Sequence, residues 1–306
     1  MTPPRQNAQH VFQTGRLNMR CIECNIRQVL RVCDQLAIPT TVCESLMRDV
    51  LAYLATADYN KCNPEIMGET WQRIIVHTEN PDPYSAIKRH FNAALLRHEP
   101  VLEARINASP DPFRTVLKMA IAGNLIDFAS HVAFSLEDLE QKLAAIDTTS
   151  LAIDHGAALR DRLSTADTLL YLGDNCGEIV LDKLFLRQIH RMWPGLRLLF
   201  GVRGQPVIND ITIADAEQVD MESVATVVSN GDNSLGTVLS RVSSTFKAHF
   251  DTADVIIAKG QGNYESLGTC HRPGLFHLFM AKCALVSNQL GVGSQAILCV
   301  ESNTGS

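Results

Sequence analysis

Hydrophobic residues in the first half of the chain recur with the period of a helix. In 22–33 they lie three or four positions apart, which gives a helix one apolar face. Similar patterns cover 41–57 and 84–96, and the second of these follows a proline, which suits a helix start. Further helices are predicted at 116–122 and 136–145. These patterns predict an all-helical domain over 19–150.

Short apolar runs replace the helical period after residue 167. Each run ends in small or polar residues, and the stretches between the runs are long enough to form helices. This alternation is typical of a parallel sheet with helices on both faces. The runs are 168–172, 196–202, 225–228 and 255–258, with a fifth at 296–300 that we predict at a sheet edge.

Together the patterns predict an α/β fold: a three-layer α/β/α sandwich with a mostly parallel sheet, plus an N-terminal all-helical domain. Residues 1–18 are polar and show no period, so we expect a flexible lead-in. The helical domain is predicted at 19–150 and the α/β domain at 151–306.

Composition narrows the class of protein. Of 306 residues, 46% are apolar and 20% are charged, which suits a large core and excludes disorder for most of the chain. The best apolar run, 275–286, contains His277 and Lys282 and is too short for a membrane helix. The net charge is −6 without a basic stripe, so we expect neither nucleic acid nor a membrane as a partner.

The nine cysteines do not indicate a disulfide framework, because their number is odd and no secretory signal is visible. We therefore expect a cytoplasmic protein. Cys21 and Cys24 form one C-x-x-C, which is either half of a zinc site or a pair of buried residues on a helix. Cys176 has no evident histidine partner, so nucleophilic catalysis by its thiol is not expected.

Polar residues and glycines follow four of the predicted strands. The segments are 173–178, 203–210, 229–233 and 259–265, and each carries acidic, amide or basic side chains. Ligands bind such sheets beyond the carboxyl ends of the strands, where these segments are expected to meet. The sequence therefore predicts an active site at this edge of the sheet.

Asp174, Asn175 and Asp210 offer three oxygen donors at two of these strand ends. Such donors suit Mg²⁺ or Mn²⁺ better than a metal that prefers thiolates. A capped turn before a helix at Glu178 is the alternative. Lys259 precedes glycines and predicts a cradle for an anion such as phosphate, the alternative being a solvated lysine at a strand end.

Several nucleotide and hydrolase motifs are missing from the chain. It contains no G-x-x-x-x-G-K-[ST], and the glycines at 173 and 177 lack the third glycine of a dinucleotide-binding loop. The G-x-S-x-G of an α/β-hydrolase is also absent.

Three motifs resemble those of the DUF89 family, the ARMT1-like damage-control phosphatases. They are G-D-N-C-G-E at 173–178, V-R-G-Q-P-V-I-N-D at 202–210 and K-G-Q-G-N-Y-E-S-L at 259–267. G-N-L-I-D at 123–127 resembles a fourth family segment, and the early C-x-x-C resembles the prokaryotic and archaeal branch. The resemblance implies a helical domain joined to an α/β/α sandwich. It also implies metal-dependent hydrolysis of phosphate esters, such as sugar phosphates or damaged phosphometabolites.

The resemblance also assigns site residues. It implies that Asp174, Asn175 and Asp210 bind the metal and that Lys259 contacts phosphate. The further residues expected to bind the substrate are Asn124, Asp127, Ser229, Asn230, Gly231 and Asn263.

We therefore expect phosphoryl transfer from a small phosphorylated metabolite to water, with Mg²⁺ or Mn²⁺ as cofactor. The nucleophile is either water or Asp174, and Glu178 or Asp127 would exchange a proton. A non-catalytic protein that binds metal or metabolite is the alternative. A methyltransferase is less favoured, because the chain has no Gly-x-Gly-x-Gly loop. The sequence does not indicate the oligomeric state.

Overall fold

The structure is a computed structural model that describes residues 14–123 and 149–302. Its helices are α1 (Arg20–Gln35), α2 (Thr40–Ala55), α3 (Asn63–Thr78), α4 (Ser85–Leu96), α5 (Glu99–Ala108), α6 (Pro112–Ala122), α7 (Gly156–Leu163), α8 (Glu178–Met192), α9 (Ile213–Gln218), α10 (Ser244–Thr252), α11 (Gly260–Leu267) and α12 (Ala284–Leu290). Its strands are β1 (Ile153–Asp154), β2 (Thr168–Leu172), β3 (Arg197–Val202), β4 (Thr226–Ser229), β5 (Val255–Lys259), β6 (Leu275–Met280) and β7 (Ile297–Glu301).

The first three helices pack around a hydrophobic core of their own. Val29 and Val32 of α1 are fully buried in it, because apolar residues recur there at the helical period. Trp71 of α3 is also fully buried and meets Tyr84 edge to face, with ring centroids 5.2 Å apart. Val207, from the segment after β3, belongs to the same cluster. The helices α1–α3 are therefore attached to the carboxyl edge of the sheet.

The seven strands of the described residues form one sheet in the order β1-β7-β6-β5-β2-β3-β4. All neighbouring strands are parallel except β6 and β7. The expectation that the run 296–300 closes an edge is wrong. β7 lies between β6 and the two-residue β1, and β1 is the edge strand.

Helices cover both faces of the sheet. On one face α5, α6 and α8 share a core with Leu169 and Tyr171 of β2. On the other face α10 and α11 pack on Leu170 and Leu172 of the same strand. Successive side chains of a strand point to opposite faces, so a fully apolar strand supplies both cores. This confirms the predicted α/β/α sandwich with a mostly parallel sheet, whereas the division at residue 150 stays a prediction.

The order of the strands determines where a ligand is expected. The chain runs from β2 to β3 and β4 on one side, then crosses back to β5 on the other side of β2. β2 and β5 are parallel neighbours, so the strand order reverses at their carboxyl ends. Ligands of open α/β sheets bind at such a point. We therefore expect the segments after Leu172 and Lys259 to form the ligand site.

Candidate active site

Backbone pairing brings the three predicted metal ligands together. Asn175 forms an isolated antiparallel bridge with Asp210. The Ile211 amide donates a hydrogen bond of 2.9 Å to the Asp174 carbonyl next to this bridge. The segments that follow β2 and β3 are thus joined by main-chain hydrogen bonds. As a result, Asp174, Asn175 and Asp210 lie side by side.

A glycine makes room for the Asp174 side chain. Gly260 has a φ of +76°, and a Cβ at this position would lie 1.9 Å from Asp174 Oδ2. Only glycine adopts this φ without steric cost, and only a residue without a Cβ allows such a close approach. The first residue after β5 therefore contributes space to the site.

A buried ion-pair cluster lies beside the ligands. Lys259 Nζ donates to Asp182 Oδ1 at 2.7 Å and to Glu178 Oε2 at 3.4 Å, and all three side chains are fully buried. Tyr171 Oη donates to the same Asp182 oxygen at 2.6 Å. Lys259 is therefore not a solvated lysine at a strand end. Its contact with phosphate stays a prediction, since its ammonium is engaged by two carboxylates.

Glu178 connects the ion-pair cluster to the metal ligands. Its Oε1 accepts hydrogen bonds from the Asn175 main-chain amide at 3.2 Å and from Asn175 Nδ2 at 2.5 Å. Asn175 Nδ2 also donates to Asp174 Oδ2 at 2.6 Å. Glu178 is the first residue of α8, where the helix dipole favours a carboxylate. The residue before this helix, Gly177, forms no side-chain cap, so the capped turn that the sequence offered as the alternative is not seen among the described residues.

Arg203 provides the positive charge next to the ligands. Its Nε donates to Asp210 Oδ2 at 2.7 Å, and its Nη2 lies 3.9 Å from Asp174 Oδ1. The side chain is buried at the end of β3. The second oxygen of Asp210, Oδ1, is also buried and has no hydrogen-bond partner among the described residues. One oxygen of this predicted metal ligand is therefore left for another group.

Burial and mutual repulsion shift the protonation of these groups. Burial, together with Asp210 and Glu178, raises the pKa of Asp174 to about 8. Burial also raises the pKa of Asp210. Burial disfavours the Lys259 ammonium, but Asp182 and Glu178 outweigh this effect and raise its pKa. The lysine therefore stays charged, whereas the ligand carboxyls compete for protons.

The buried groups of the site do not balance in charge. Four carboxyl groups and two cations give a formal charge of 2 − 4 = −2 when all are ionised. The carboxyl groups are those of Asp174, Glu178, Asp182 and Asp210, and the cations are Lys259 and Arg203. Uncompensated buried charge is costly, so the site favours a bound cation or added protons.

A cleft of about 350 Å³ opens over Asp174, Asn175 and Asp210. Its lining includes Arg27 and Arg31 of α1, Asn63 of α3, Gln261 of α11 and Lys282 after β6. The floor is thus acidic, and the walls carry three cations and one carboxyl group, that of Glu265. Such an arrangement can hold an anion over a metal.

Four residues predicted to bind the substrate do not line this cleft. Asn230 Oδ1 accepts from the Gly204 amide at 2.8 Å, and Ser229 Oγ accepts from the Gly231 amide at 3.2 Å. Asn263 Nδ2 donates to a main-chain carbonyl four residues earlier at 2.7 Å. These polar groups support the strand ends, whereas Asn230 Nδ2 is buried without a partner among the described residues, so the contact of these residues with the substrate stays a prediction. Asn124 and Asp127, predicted to contact the substrate, lie outside the described residues.

The C-x-x-C motif reaches the cleft with one of its two cysteines. Cys21 is buried, and burial raises the pKa of its thiol to about 12. Cys24 is exposed and lines the cleft, so the expectation that both are buried is wrong for Cys24. All nine cysteines are free thiols. Within 14–123 and 149–302, no three His, Cys, Asp or Glu side chains converge to hold a metal.

The sequence interpretation missed Asp182, Arg203 and the cations of the cleft. Asp182 lies four residues after Glu178, so both face one side of α8, and this spacing was an available signal. Arg203 directly follows β3, as a site residue would. Arg27 and Arg31 gave no signal, because a charged helix face looks the same in sequence whether it faces solvent or a cleft.

The family was identified by comparison with known proteins. Residues 17–298 match the family model described as the damage-control phosphatase ARMT1-like domain. The chain belongs to this family. A damage-control phosphatase of Pyrococcus horikoshii is 30% identical over 289 residues, which are 94% of this chain and 98% of that protein. A damage-control phosphatase of Archaeoglobus fulgidus is 30% identical over 214 residues, which are 69% of this chain and 73% of that protein.

A solved structure of the family has the same fold. The crystal structure of a DUF89 family protein from Pyrococcus horikoshii aligns with a TM-score of 0.88 at 28% identity, covering 94% of this chain and 99% of that one. The resemblance noted from the motifs is thus confirmed. Membrane-spanning helices of sufficient length and apolarity are not found in the described ranges.

Proposed function

We propose that this protein is a metal-dependent phosphatase that hydrolyses small phosphate esters, with Mg²⁺ or Mn²⁺ bound by Asp174, Asn175 and Asp210. The observation that carries the proposal is the main-chain ladder that places these three side chains on the floor of a cleft with cationic walls. Membership of the damage-control phosphatase family supports the type of reaction.

The residues present fit a divalent cation. With all four carboxyl groups ionised, the buried groups carry a formal charge of −2, which a divalent ion would neutralise. Asp210 Oδ1 is buried without a partner among the described residues, and Gly260 lets Asp174 come close to the main chain. Carboxylate and amide oxygens are also the donors that Mg²⁺ and Mn²⁺ prefer. When bound, the metal would offset negative charge on the phosphate oxygens.

The residues around the ligands orient them. Arg203 fixes Asp210 through a hydrogen bond of 2.7 Å, and Glu178 fixes Asn175 through two. Lys259 neutralises Glu178 and Asp182. Its attraction of the bound phosphate is part of the proposal. Glu178 is our candidate for the carboxylate that exchanges a proton with water or the leaving oxygen. Trapping of an aspartyl-phosphate by rapid acid quench distinguishes Asp174 from water as the nucleophile.

The substrate is proposed to be a small phosphorylated metabolite. A cleft of about 350 Å³ suits a small ligand, and Arg27, Arg31 and Lys282 would attract its negative charge. The relatives named damage-control phosphatases favour phosphometabolites as the substrate class. A cytoplasmic location remains a prediction that rests on the nine free thiols.

The proposal is tested by hydrolysis of p-nitrophenyl phosphate after chelation and after addition of Mn²⁺ or Mg²⁺. Asp174→Ala should abolish metal-dependent turnover and keep the fold, because the residue lies at a strand end. Asp210→Asn should be milder, since the amide keeps an oxygen donor. Asp161→Ala, on the exposed side of α7, is the control and should behave as wild type.

Two results would contradict the proposal. Metal-dependent turnover in Asp174→Ala at the wild-type rate would exclude this residue as a ligand. Tight binding of Mn²⁺ and phosphate by the wild type without any turnover would instead favour a non-catalytic binding protein.

A further inference from the structure

One face of α1 forms a wall of the cleft. Cys24, Arg27, Gln28 and Arg31 all line the cleft, and their spacing of three, four and seven residues places them on one side of the helix. Seven residues of helix rise about 10 Å. The wall therefore extends well beyond the size of a single phosphate group.

The two arginines of this wall are not explained by the packing of α1. Arg27 pairs with Glu23, but both side chains are more than half exposed, with 64% and 71% of their surface accessible, so the pair contributes little. Arg31 forms no ion pair with any residue in the described part of the chain. Like charges one turn apart destabilise a helix. Two guanidinium groups therefore face the cleft without a stabilising role in the fold.

The cleft has room for more than the reacting phosphate. Clefts of about 300–1,000 Å³ hold ligands of metabolite size or larger, and this one measures about 350 Å³. None of the described lining residues is aromatic, so the wall offers no surface on which a base could stack. Gln28, Asn63 and Gln261 add amide groups to the lining, and Pro64, Met67, Ile208 and Leu235 add apolar side chains. The part of the substrate beyond the phosphate is thus expected to be a small group without an aromatic ring.

We infer that Arg27 and Arg31 form a second anion subsite, and that the substrates are phosphate esters carrying a further phosphate or carboxylate on the leaving group. The inference rests on the proposed phosphatase function. The guanidinium fork binds phosphate and carboxylate through two parallel hydrogen bonds, which a lysine does not. The metal ligands hold the phosphate that reacts, and α1 selects what is attached to it. Arg31 contributes most, because it forms no ion pair among the described residues, whereas Arg27 pairs with Glu23.

The subsite is tested by competitive inhibition of p-nitrophenyl phosphate hydrolysis with Mn²⁺-loaded protein. The probes are 6-phosphogluconate and glucose 6-phosphate, which differ in a terminal carboxylate, and fructose 1,6-bisphosphate and fructose 1-phosphate, which differ in a second phosphate. The wild type should bind the more anionic member of each pair more tightly. In Arg31→Gln the ratio of the two inhibition constants should fall roughly 10-fold, the lower end of the range for a hydrogen bond to a charged group.

Arg20→Gln is the matched control. Arg20 lies on the same helix, is exposed and does not line the cleft, and the substitution removes the same charge. The ratio of inhibition constants should be unchanged in this variant. An equal fall in Arg20→Gln and Arg31→Gln, an unchanged ratio in Arg31→Gln, or no preference in the wild type would each overturn the subsite. Absence of p-nitrophenyl phosphate turnover in the wild type would instead overturn the proposed function itself.

Discussion

The substitution Gly260→Ala tests whether the position of Asp174 depends on the glycine after β5. The added Cβ would lie 1.9 Å from Asp174 Oδ2 and 2.2 Å from its Cγ, whereas real Cβ atoms essentially never come closer than 3.0 Å to another heavy atom. The carboxylate would have to retreat by about 1 Å. A displacement of that size can cost roughly 100-fold in turnover. We expect such a loss, together with weaker binding of Mn²⁺.

The backbone cost of this substitution must be separated from the displacement of Asp174. Gly260 has a φ of +76°, and a non-glycine residue there costs about 1–2 kcal/mol of stability. Gly291, which follows α12, has a φ of +66°, and a Cβ there would meet no atom within 4 Å. Gly291→Ala therefore imposes a similar backbone cost without moving a ligand. Both variants should unfold at lower urea concentration, but only Gly260→Ala should lose metal affinity.

The assay combines titration calorimetry with Mn²⁺, turnover of p-nitrophenyl phosphate, and urea unfolding of both variants. The comparison is made where both variants remain fully folded. If Gly260→Ala then binds Mn²⁺ and turns over substrate as Gly291→Ala does, the close approach of Gly260 does not position a metal ligand. The assignment of Asp174 would have to be abandoned.

Three further predictions concern buried or reactive groups. Lys259→Met should lower the free energy of unfolding in urea by about 3–5 kcal/mol, because it leaves Asp182 buried without its cation. Adding Asp182→Asn should restore part of the lost stability. Unchanged stability in Lys259→Met would contradict the ion pair. Burial lowers the pKa of His277 from 6.5 to about 4. As the pH falls, His277 is therefore protonated in the unfolded chain before it is protonated in the folded protein. About 3 kcal/mol of stability is lost as the pH falls from 6.5 towards 4. His277→Gln should remove this part of the pH dependence, measured by urea unfolding at several pH values, and an identical pH profile would refute it. N-ethylmaleimide should modify the exposed Cys24 before the buried Cys21, as measured by peptide mass spectrometry. Because Cys24 lines the cleft, the modification should also inhibit turnover. Inhibition that persists in Cys24→Ser would show that another thiol is responsible.

The strand ends were the part of the site that the sequence could predict. Asp174 and Asp210 follow short apolar runs, and in a parallel sheet these ends converge whatever the details of packing. The same argument predicted the sheet and its two helical layers. It did not predict β6, because the apolar run that begins at Leu275 continues past the end of the strand and contains His277, which stays neutral in the core.

The surroundings of Lys259 depend on packing that the sequence does not display. The sequence predicted a phosphate cradle at Lys259, with a solvated lysine as the alternative, and it did not show that α8 places Glu178 and Asp182 one turn apart against this residue. Whether two carboxylates of a helix face a lysine or water is decided by which side of the helix meets the sheet. The turn after β4 is a related case, since Asn230 Oδ1 accepts hydrogen bonds from two main-chain amides and the sequence does not display this role.

The main-chain ladder between Asn175 and Asp210 affects how the site can evolve. Because hydrogen bonds between peptide groups hold the two segments together, their spacing does not depend on which side chains they carry. A substitution such as Asn175→Asp would change the charge of the ligand set and leave its frame in place. The preference of the proposed metal site for one divalent cation over another could therefore change by single substitutions while the fold stays the same.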